Sequence, residues 1–351
     1  MKRMRRAVKS LFGAPPMTNL LIIKPSSLGD IVHGLQVAAS LKAQRPELRI
    51  SWIVRDIFEA LVRNCEVVDR TYVFQRSEGV RGFLKLMREV RQTHFDYVFD
   101  MQGLLRTGLM TWQARAAKKV GRSDAREGAT FFYQQKILLP PGGTQSHALD
   151  ILLRFCPVLN AKPELCGELR FREAADLNLG FIEGRRGQKP ILIFPDSRRA
   201  EKRWNGFRQL TDLLLRDGTG RKIVWAGNNL VSYRDNAPEG QFLNLTGNTS
   251  LVSLAALIRR AEWVICNDSG PLHLAAALKV KTLGLFGPTD PRLYGPYPLT
   301  SPTNHVVQAP VGDLRLLTAR DVYARFARLD AISHGQSPPG STAPWPRREP
   351  L

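Results

Sequence analysis

Cysteine is scarce in these 351 residues, and the four that occur lie far apart. Cys65, Cys156, Cys166 and Cys266 form no C-x-x-C and accompany no histidine pair at ligand spacing. Neither a disulfide framework nor a zinc site is indicated, and reduced, mostly buried thiols are expected. Long apolar runs are absent too. None approaches the roughly 20 residues that cross a bilayer, and no basic, apolar and cleavage regions follow in order at the start, so the chain is expected in the cytoplasm. The G-x-G-x-x-G fingerprint is also missing, which argues against a dinucleotide-dependent dehydrogenase. Hydrophobic residues still make up 43%, and the length favours two domains, each with its own core.

Negative charge is the other shortage: 31 acidic residues stand against 51 Lys and Arg, for a formal net charge of +20. Lys2, Arg3, Arg5, Arg6 and Lys9 open the chain with no acid among them, and the remaining excess is spread evenly. Such a surface attracts polyanions of several kinds: anionic headgroups, phosphorylated sugars or nucleic acid. The arm at 1–18, with Val8, Leu11 and Phe12 beside its basic residues, reads either as a short amphipathic segment on an anionic membrane or as a disordered overhang.

What the chain does have is a pair of strand–turn–helix motifs. Residues 263–266 form a short apolar run of the buried-strand kind. Residues 272–278 are apolar at helical spacing after Asp268, Ser269, Gly270 and Pro271, a helix-start signal. The first amides of such a helix have no intrahelical partners and the macrodipole adds positive charge. The turn is therefore suited to holding a diphosphate without a metal, with Gly270 leaving room for it, although an ordinary capped helix satisfies the same residues. In the second motif, residues 20–24 are a strand, 25–30 a turn, and Ile31, Leu35, Ala38, Ala39 and Leu41 the apolar face of a helix ending before Pro46. Asp30 stands where strand passes into helix. In open α/β sheets that edge binds ligands, so Asp30 either serves chemistry there or caps the helix.

Strands and helices alternate from residue 20 onward, with strands at 50–54, 67–74 and 97–101 and helices at 57–62 and 83–90, the pattern of a parallel sheet. Prolines, glycines and charges break the periodicity from 127 to 190, apart from a helical stretch at 147–155. The linker is placed within 175–190. A second series follows: a strand at 191–194, a helix bearing Phe207, Leu210, Leu213 and Leu214, a strand at 222–226, a helix at 250–260, then the motif at 263–278 and a strand at 282–286. The fold class is α/β, two Rossmann-like halves in tandem. Residues 313–329 carry Leu316, Val322, Phe326 and Leu329 at helical spacing, and the Pro-, Gly- and Ser-rich end is expected to be disordered.

Three separated segments, from Lys24-Pro25-Ser26-Ser27-Leu28-Gly29-Asp30-Ile31 through Asn267-Asp268-Ser269-Gly270-Pro271-Leu272-His273 to Phe286-Gly287-Pro288-Thr289-Asp290-Pro291, resemble the bacterial lipopolysaccharide heptosyltransferases in order and spacing. The resemblance implies a GT-B fold: two Rossmann-like domains facing across a cleft, with a C-terminal helix crossing back to the first. The boundaries are then an arm at 1–18, an acceptor domain at 19–180, a donor domain at 188–312, the crossing helix at 313–333 and a tail at 334–351. The implied reaction is inverting transfer of heptose from ADP-heptose to the lipopolysaccharide inner core, either Kdo-lipid A or heptosyl-Kdo-lipid A, at the cytoplasmic face of the inner membrane.

Carried over residue by residue, the resemblance makes Asp30 the base and puts Lys24, Ser26, Ser27 and Gly29 beside the acceptor. It puts Ser197 and Lys202, from the loop Asp196 to Trp204, on the donor diphosphate, with Asp268, Ser269, Gly270, Pro271, His273, Thr289 and Asp290 around the donor. His273 packed against the turn is the plainer alternative. No two aspartates lie two residues apart, so the Asp-x-Asp metal motif is missing; metal-independent transfer without a cofactor is expected, the ADP-sugar being a substrate. The chain departs from the family where Trp225-Ala226-Gly227 leads into Asn228-Asn229. Some members have a glutamate there for the donor ribose, whereas Asn228 offers an uncharged amide. The start of the donor loop, Phe194-Pro195-Asp196, differs as well. A relative using another nucleotide sugar or polysaccharide acceptor is therefore the nearest alternative. A basic nucleic-acid-binding protein on a degenerate enzyme fold is a remote one, because the chain lacks a zinc-finger pattern, a ribonucleoprotein aromatic motif and basic-aromatic interleaving.

Overall fold

A computed structural model describes residues 17–172, 180–182, 188–233, 237 and 240–336. Strands β1 (Thr18–Ile23), β2 (Leu48–Arg55), β3 (Arg70–Phe74), β4 (Phe95–Asp100), β5 (Ala116–Arg122) and β6 (Gln135–Ile137) form one sheet in the order β3-β2-β1-β4-β5-β6. Strands β7 (Ile191–Phe194), β8 (Ile223–Gly227), β9 (Phe242–Thr246), β10 (Trp263–Asn267), β11 (Lys281–Phe286) and β12 (Asn304–Gln308) form a second in the order β12-β11-β10-β7-β8-β9, which read from its other end is the same arrangement. Every pairing in both is parallel. The central strands are buried on both faces, as covered parallel sheets require: Leu20 to Ile23 and the whole of Ile191–Phe194 are shielded from solvent.

Helices α1 (Leu28–Gln44), α2 (Glu59–Asn64), α3 (Gly79–Val90), α4 (Leu105–Gln113) and α5 (Ala148–Leu153) serve the first domain. Helices α6 (Phe207–Leu215), α7 (Leu251–Arg260), α8 (Gly270–Ala277), α9 (Pro291–Tyr294) and α10 (Ala319–Ser333) serve the second. The domains meet chiefly through α1 against α8 and α2 against α7. One apolar cluster runs through that junction, from Leu20, Ile31 and Leu35 to Cys266, Leu272 and Leu274. The four cysteines are free, and Cys65, Cys156 and Cys266 are buried.

The alternating pattern is present as expected, with three differences. Strands β5, β6, β9 and β12 were not anticipated, because their sequences, such as AAKKVGR in β5, carry too many polar or small residues to read as strands. The C-terminal helix starts at Ala319, not Asp313: Thr318 and Asp321 form its capping box, while Asp313 caps a short 3-10 turn. It also does not cross to the first domain. Val322, Phe326 and Leu329 pack with Trp204, Leu210 and Trp263 of the second, each burial worth about 1.5 to 3 kcal/mol. Asp330 pins it there, accepting from the Trp263 indole at 2.8 Å and pairing with Arg221 at 2.6 Å. Most of the anticipated linker, the arm at 1–16 and the tail from 337 lie outside the described residues.

Candidate active site

In a sheet of this order the strand sequence reverses beside the first strand, and loops diverging there leave a crevice at the carboxyl edge. Both domains turn that edge inward. The loops after β1, β7 and β10 face one another across a cleft of about 720 Å3. Helices α1 and α8 both begin at it, so two sets of unpaired amides and two positive dipole ends converge on the same space. Two glycines allow the approach. A Cβ on Gly29 would lie 2.5 Å from Cδ2 of His273, and one on Gly270 would lie 2.6 Å from the Leu28 side chain. Gly270 is thus required by Leu28 of the opposite domain, a reason beyond the room for phosphate inferred from sequence.

Asp30 is the third residue of α1. Its Oδ2 accepts from the Ser27 amide at 3.0 Å and the Ser27 hydroxyl at 2.7 Å, while Oδ1 lies 3.4 Å from Lys24 Nζ. It therefore both caps its helix and lines the cleft. Burial acts to raise its pKa, but the Lys24 ammonium and the Ser27 hydrogen bonds outweigh that and hold the carboxyl below the usual range. Lys24 is buried under the turn, outside the cleft lining, with its ammonium beside Asp30. Ser26 stands outside the lining as well, whereas Ser27 and Gly29 belong to it.

Across the cleft, Lys202 Nζ meets Asp268 Oδ2 at 2.5 Å, and Thr289 donates to the same oxygen at 2.6 Å. Lys202, Ser197, Asp268, Ser269, Gly270 and Pro271 line the cleft together with Asn228. No side chain caps α8: the Ser269 hydroxyl donates back to the Asn267 carbonyl at 3.1 Å, leaving the helix start to whatever enters. Asn229 is committed to Asp196 at 2.6 Å, so Asn228 is the amide facing the cleft. Thr289 and Asp290 do not line it, contrary to the sequence expectation. Thr289 supports Asp268 from behind, and Asp290 caps α9 through the Arg292 amide and pairs with the Arg292 guanidinium.

His273 lines the cleft and reaches a residue that sequence reasoning missed. Its Nδ1 lies 3.2 Å from Nε2 of His33, on α1 of the other domain. One ring must donate and the other accept, so only one of the two facing nitrogens carries a proton. Burial pushes His273 down to about 4, and burial with the two neighbouring imidazoles holds His33 well below its ordinary value. The third imidazole is His147, 5.5 Å from His33 between ring centres. Its Nδ1 accepts from the Leu149 amide and its Nε2–H donates to the Gly295 carbonyl at 3.1 Å, a geometry only the neutral ring satisfies. His33 follows Asp30 by three residues, a helical spacing that puts both on one face and offered a usable signal; His147 offered none.

Among the described residues, one group of potential metal ligands comes together, Glu262, Asp330 and His334. It lies at the opposite edge of the second sheet and is tied up by Arg221 and Lys281.

Residues 83–310 match glycosyltransferase family 9 (heptosyltransferase). The chain is similar to lipopolysaccharide heptosyltransferase 1 of Escherichia coli, with 27% identity over 320 residues, 86% of this chain and 95% of the relative. It is also similar to the lipopolysaccharide core heptosyltransferase OpsX of Haemophilus influenzae, at 25% identity over 82% of this chain and 84% of the relative. Its fold superposes on that of E. coli heptosyltransferase WaaC with ADP at a TM-score of 0.72 and 23% identity, covering 89% of this chain and 100% of the other.

Proposed function

The chain belongs to glycosyltransferase family 9 and is a glycosyltransferase; from that premise we propose that it moves heptose from ADP-heptose to the lipopolysaccharide inner core, with inversion and without a metal. The observation carrying this reading is the pair of opposed charges in one cleft: the Asp30 carboxylate on the first domain and the Lys202 ammonium with the open start of α8 on the second. The donor lies with its diphosphate against Lys202, Ser269 and Gly270. The acceptor hydroxyl, beside Asp30, attacks the anomeric carbon from the face opposite the diphosphate. As the new C–O bond forms, Asp30 takes the hydroxyl proton and the bond to the diphosphate breaks, releasing ADP. Lys24 keeps Asp30 ionised, and the arriving negative charge of the donor raises its proton affinity toward that needed of a base. The relatives named above as lipopolysaccharide heptosyltransferases, and the WaaC complex with ADP, support this choice of donor and acceptor.

No helix among the described residues is long and apolar enough to cross a membrane, and we place the enzyme at the cytoplasmic face of the inner membrane, in peripheral contact with anionic lipid. A second reading, the same transfer from a different nucleotide sugar, is favoured by Asn228 at the cleft. Equilibrium binding of ADP, UDP and GDP in the presence of EDTA separates the two, followed by transfer from ADP-heptose to Kdo-lipid A. Selective ADP binding with transfer in EDTA is expected. A preference for UDP or GDP, or turnover abolished by chelation, overturns the donor or the metal-independent mechanism respectively.

A further inference from the structure

A face of the first domain outside the cleft carries an exposed apolar ridge. Leu105, Leu109 and Trp112 recur along α4 at the spacing of one helical stripe, with Leu105 43% and Trp112 58% exposed. Phe132 packs beside the stripe, its ring 6.5 Å from that of Trp112 and its edge 2.7 Å from where a Cβ on Gly108 would stand. Phe131 next to it is 89% exposed. Tyr133, two residues after Phe131, is buried and donates its hydroxyl to Asp100 Oδ2 at 2.7 Å, at the end of β4. One short segment is therefore anchored at the carboxyl edge of the sheet by Tyr133 while it holds Phe131 in solvent.

Basic residues outnumber acids around this ridge. Lys119 Nζ donates to the Trp112 carbonyl at 2.6 Å, Arg91 to the Gln113 side chain at 3.2 Å, and the Arg126 amide bonds the Gly103 carbonyl beside them, while Arg106, next to Leu105, turns its guanidinium over the Phe74 ring. The nearby acids are already engaged: Glu127 accepts from the Leu105 amide at the start of α4, and Asp124 pairs with Arg122 at 2.6 Å.

We propose that this face docks the enzyme on an anionic lipid bilayer, with Trp112, Phe131 and Leu105 at the headgroup–acyl boundary and Arg91, Lys119 and Arg126 on the headgroups. Tryptophan and phenylalanine ringed by basic residues match that interface, where apolar burial and headgroup attraction act together. A second copy fits poorly, because a two-fold contact sets the same cations against one another. The Leu105 and Phe131 end of the face adjoins the carboxyl end of β4, on the domain to which the proposed function gives the acceptor. The proposal rests on the lipid-acceptor reading above for its purpose, but its test contains neither donor nor acceptor.

The experiment is co-sedimentation of the full chain with vesicles of phosphatidylcholine containing phosphatidylglycerol, and with phosphatidylcholine alone. Wild type is expected on the anionic vesicles, released by salt, and not on the neutral ones. Trp112→Ser with Phe131→Ser should lower the bound fraction roughly tenfold, the scale set by losing aromatic burial. ADP affinity and melting temperature should stay as in wild type, which shows that the fold and cleft survive. Equal binding by the double variant overturns the proposal. So does a wild-type dimer that the double variant dissolves without any change in vesicle binding, since that result gives the face to a second copy.

Discussion

In the first domain the charge pair at the strand reversal is Lys24 with Asp30, and in the second it is Lys202 with Asp268. The two are mirror images in exposure. Lys24 is 3% exposed and Asp30 42%, whereas Lys202 is 15% and Asp268 5%. One strand order thus presents a carboxylate from one side of the cleft and an ammonium from the other, and burial decides which partner of each pair can act. The buried member is not idle. Lys24 holds the Asp30 carboxyl below its usual range, and Asp268 holds the Lys202 ammonium in position through a 2.5 Å contact.

Removing the exposed carboxylate should break the comparison most severely. Asp30→Asn keeps the shape and removes the proton acceptor, so turnover is expected to fall by about 10²- to 10⁴-fold while ADP affinity changes little. If titration calorimetry found ADP affinity reduced as much as turnover, Asp30 would be structural. The opposite substitution, Lys202→Ala, should weaken ADP binding by about ten- to a hundredfold through loss of a charge-assisted contact. It also strands Asp268 with Thr289 as its remaining side-chain partner. The double variant Lys202→Met with Asp268→Asn sharpens the test, because a neutral pair should recover stability without recovering ADP affinity. Recovery of both would mean that Lys202 serves the fold alone.

The contact between the halves titrates. An imidazole held neutral by burial binds its proton more weakly folded than unfolded. Above the ordinary value of 6.5 neither state is protonated and the contact keeps its full stability. As pH falls from 6.5 toward about 4, the folded value for His273, the unfolded or opened chain takes up protons the closed interface refuses, so stability is lost. His33 and His147 shift in the same direction, chiefly through burial. The melting temperature should therefore drop through that window, and His273→Asn should flatten the drop. A wild-type profile level from pH 6.5 to 4 would mean the imidazoles are not sequestered at the interface.

Much of each half was legible because its signals are local. The apolar runs of β1, β7 and β10 and the helix start at Ser269 depend on neighbours in sequence, whereas the first helix begins at Leu28, inside the stretch read as a turn. The polar strands β5, flanked by β4 and β6, and β12, at a sheet edge, were not legible, since sheet pairing and not composition makes them strands. Nor was anything that depends on the halves meeting: Gly29 against His273, Gly270 against Leu28, and His33 against His273 join residues some 240 positions apart. The C-terminal helix was recognised but sent to the wrong domain. Its apolar face fits either in principle, and Arg221 and Trp263 holding Asp330 decide the matter.

The smallest expected effect concerns Asn228, where the family resemblance implied a glutamate for the donor ribose and this chain has an amide. It is exposed, faces the cleft and follows Gly227, whose φ of 150° and bond from its amide to the Thr249 hydroxyl hold the turn open. An amide accepts or donates one hydrogen bond to a ribose hydroxyl, and a carboxylate accepts more strongly but adds negative charge near the diphosphate. These effects oppose each other, so Asn228→Glu should tighten or weaken ADP by only about two- to fivefold, the net of one improved hydrogen bond against screened repulsion. The discriminating measurement compares ADP with 2′-deoxy-ADP. If Asn228 reads the ribose, the substitution widens the gap between the two nucleotides; an unchanged gap removes Asn228 from the donor site and leaves donor discrimination to the rest of the second domain.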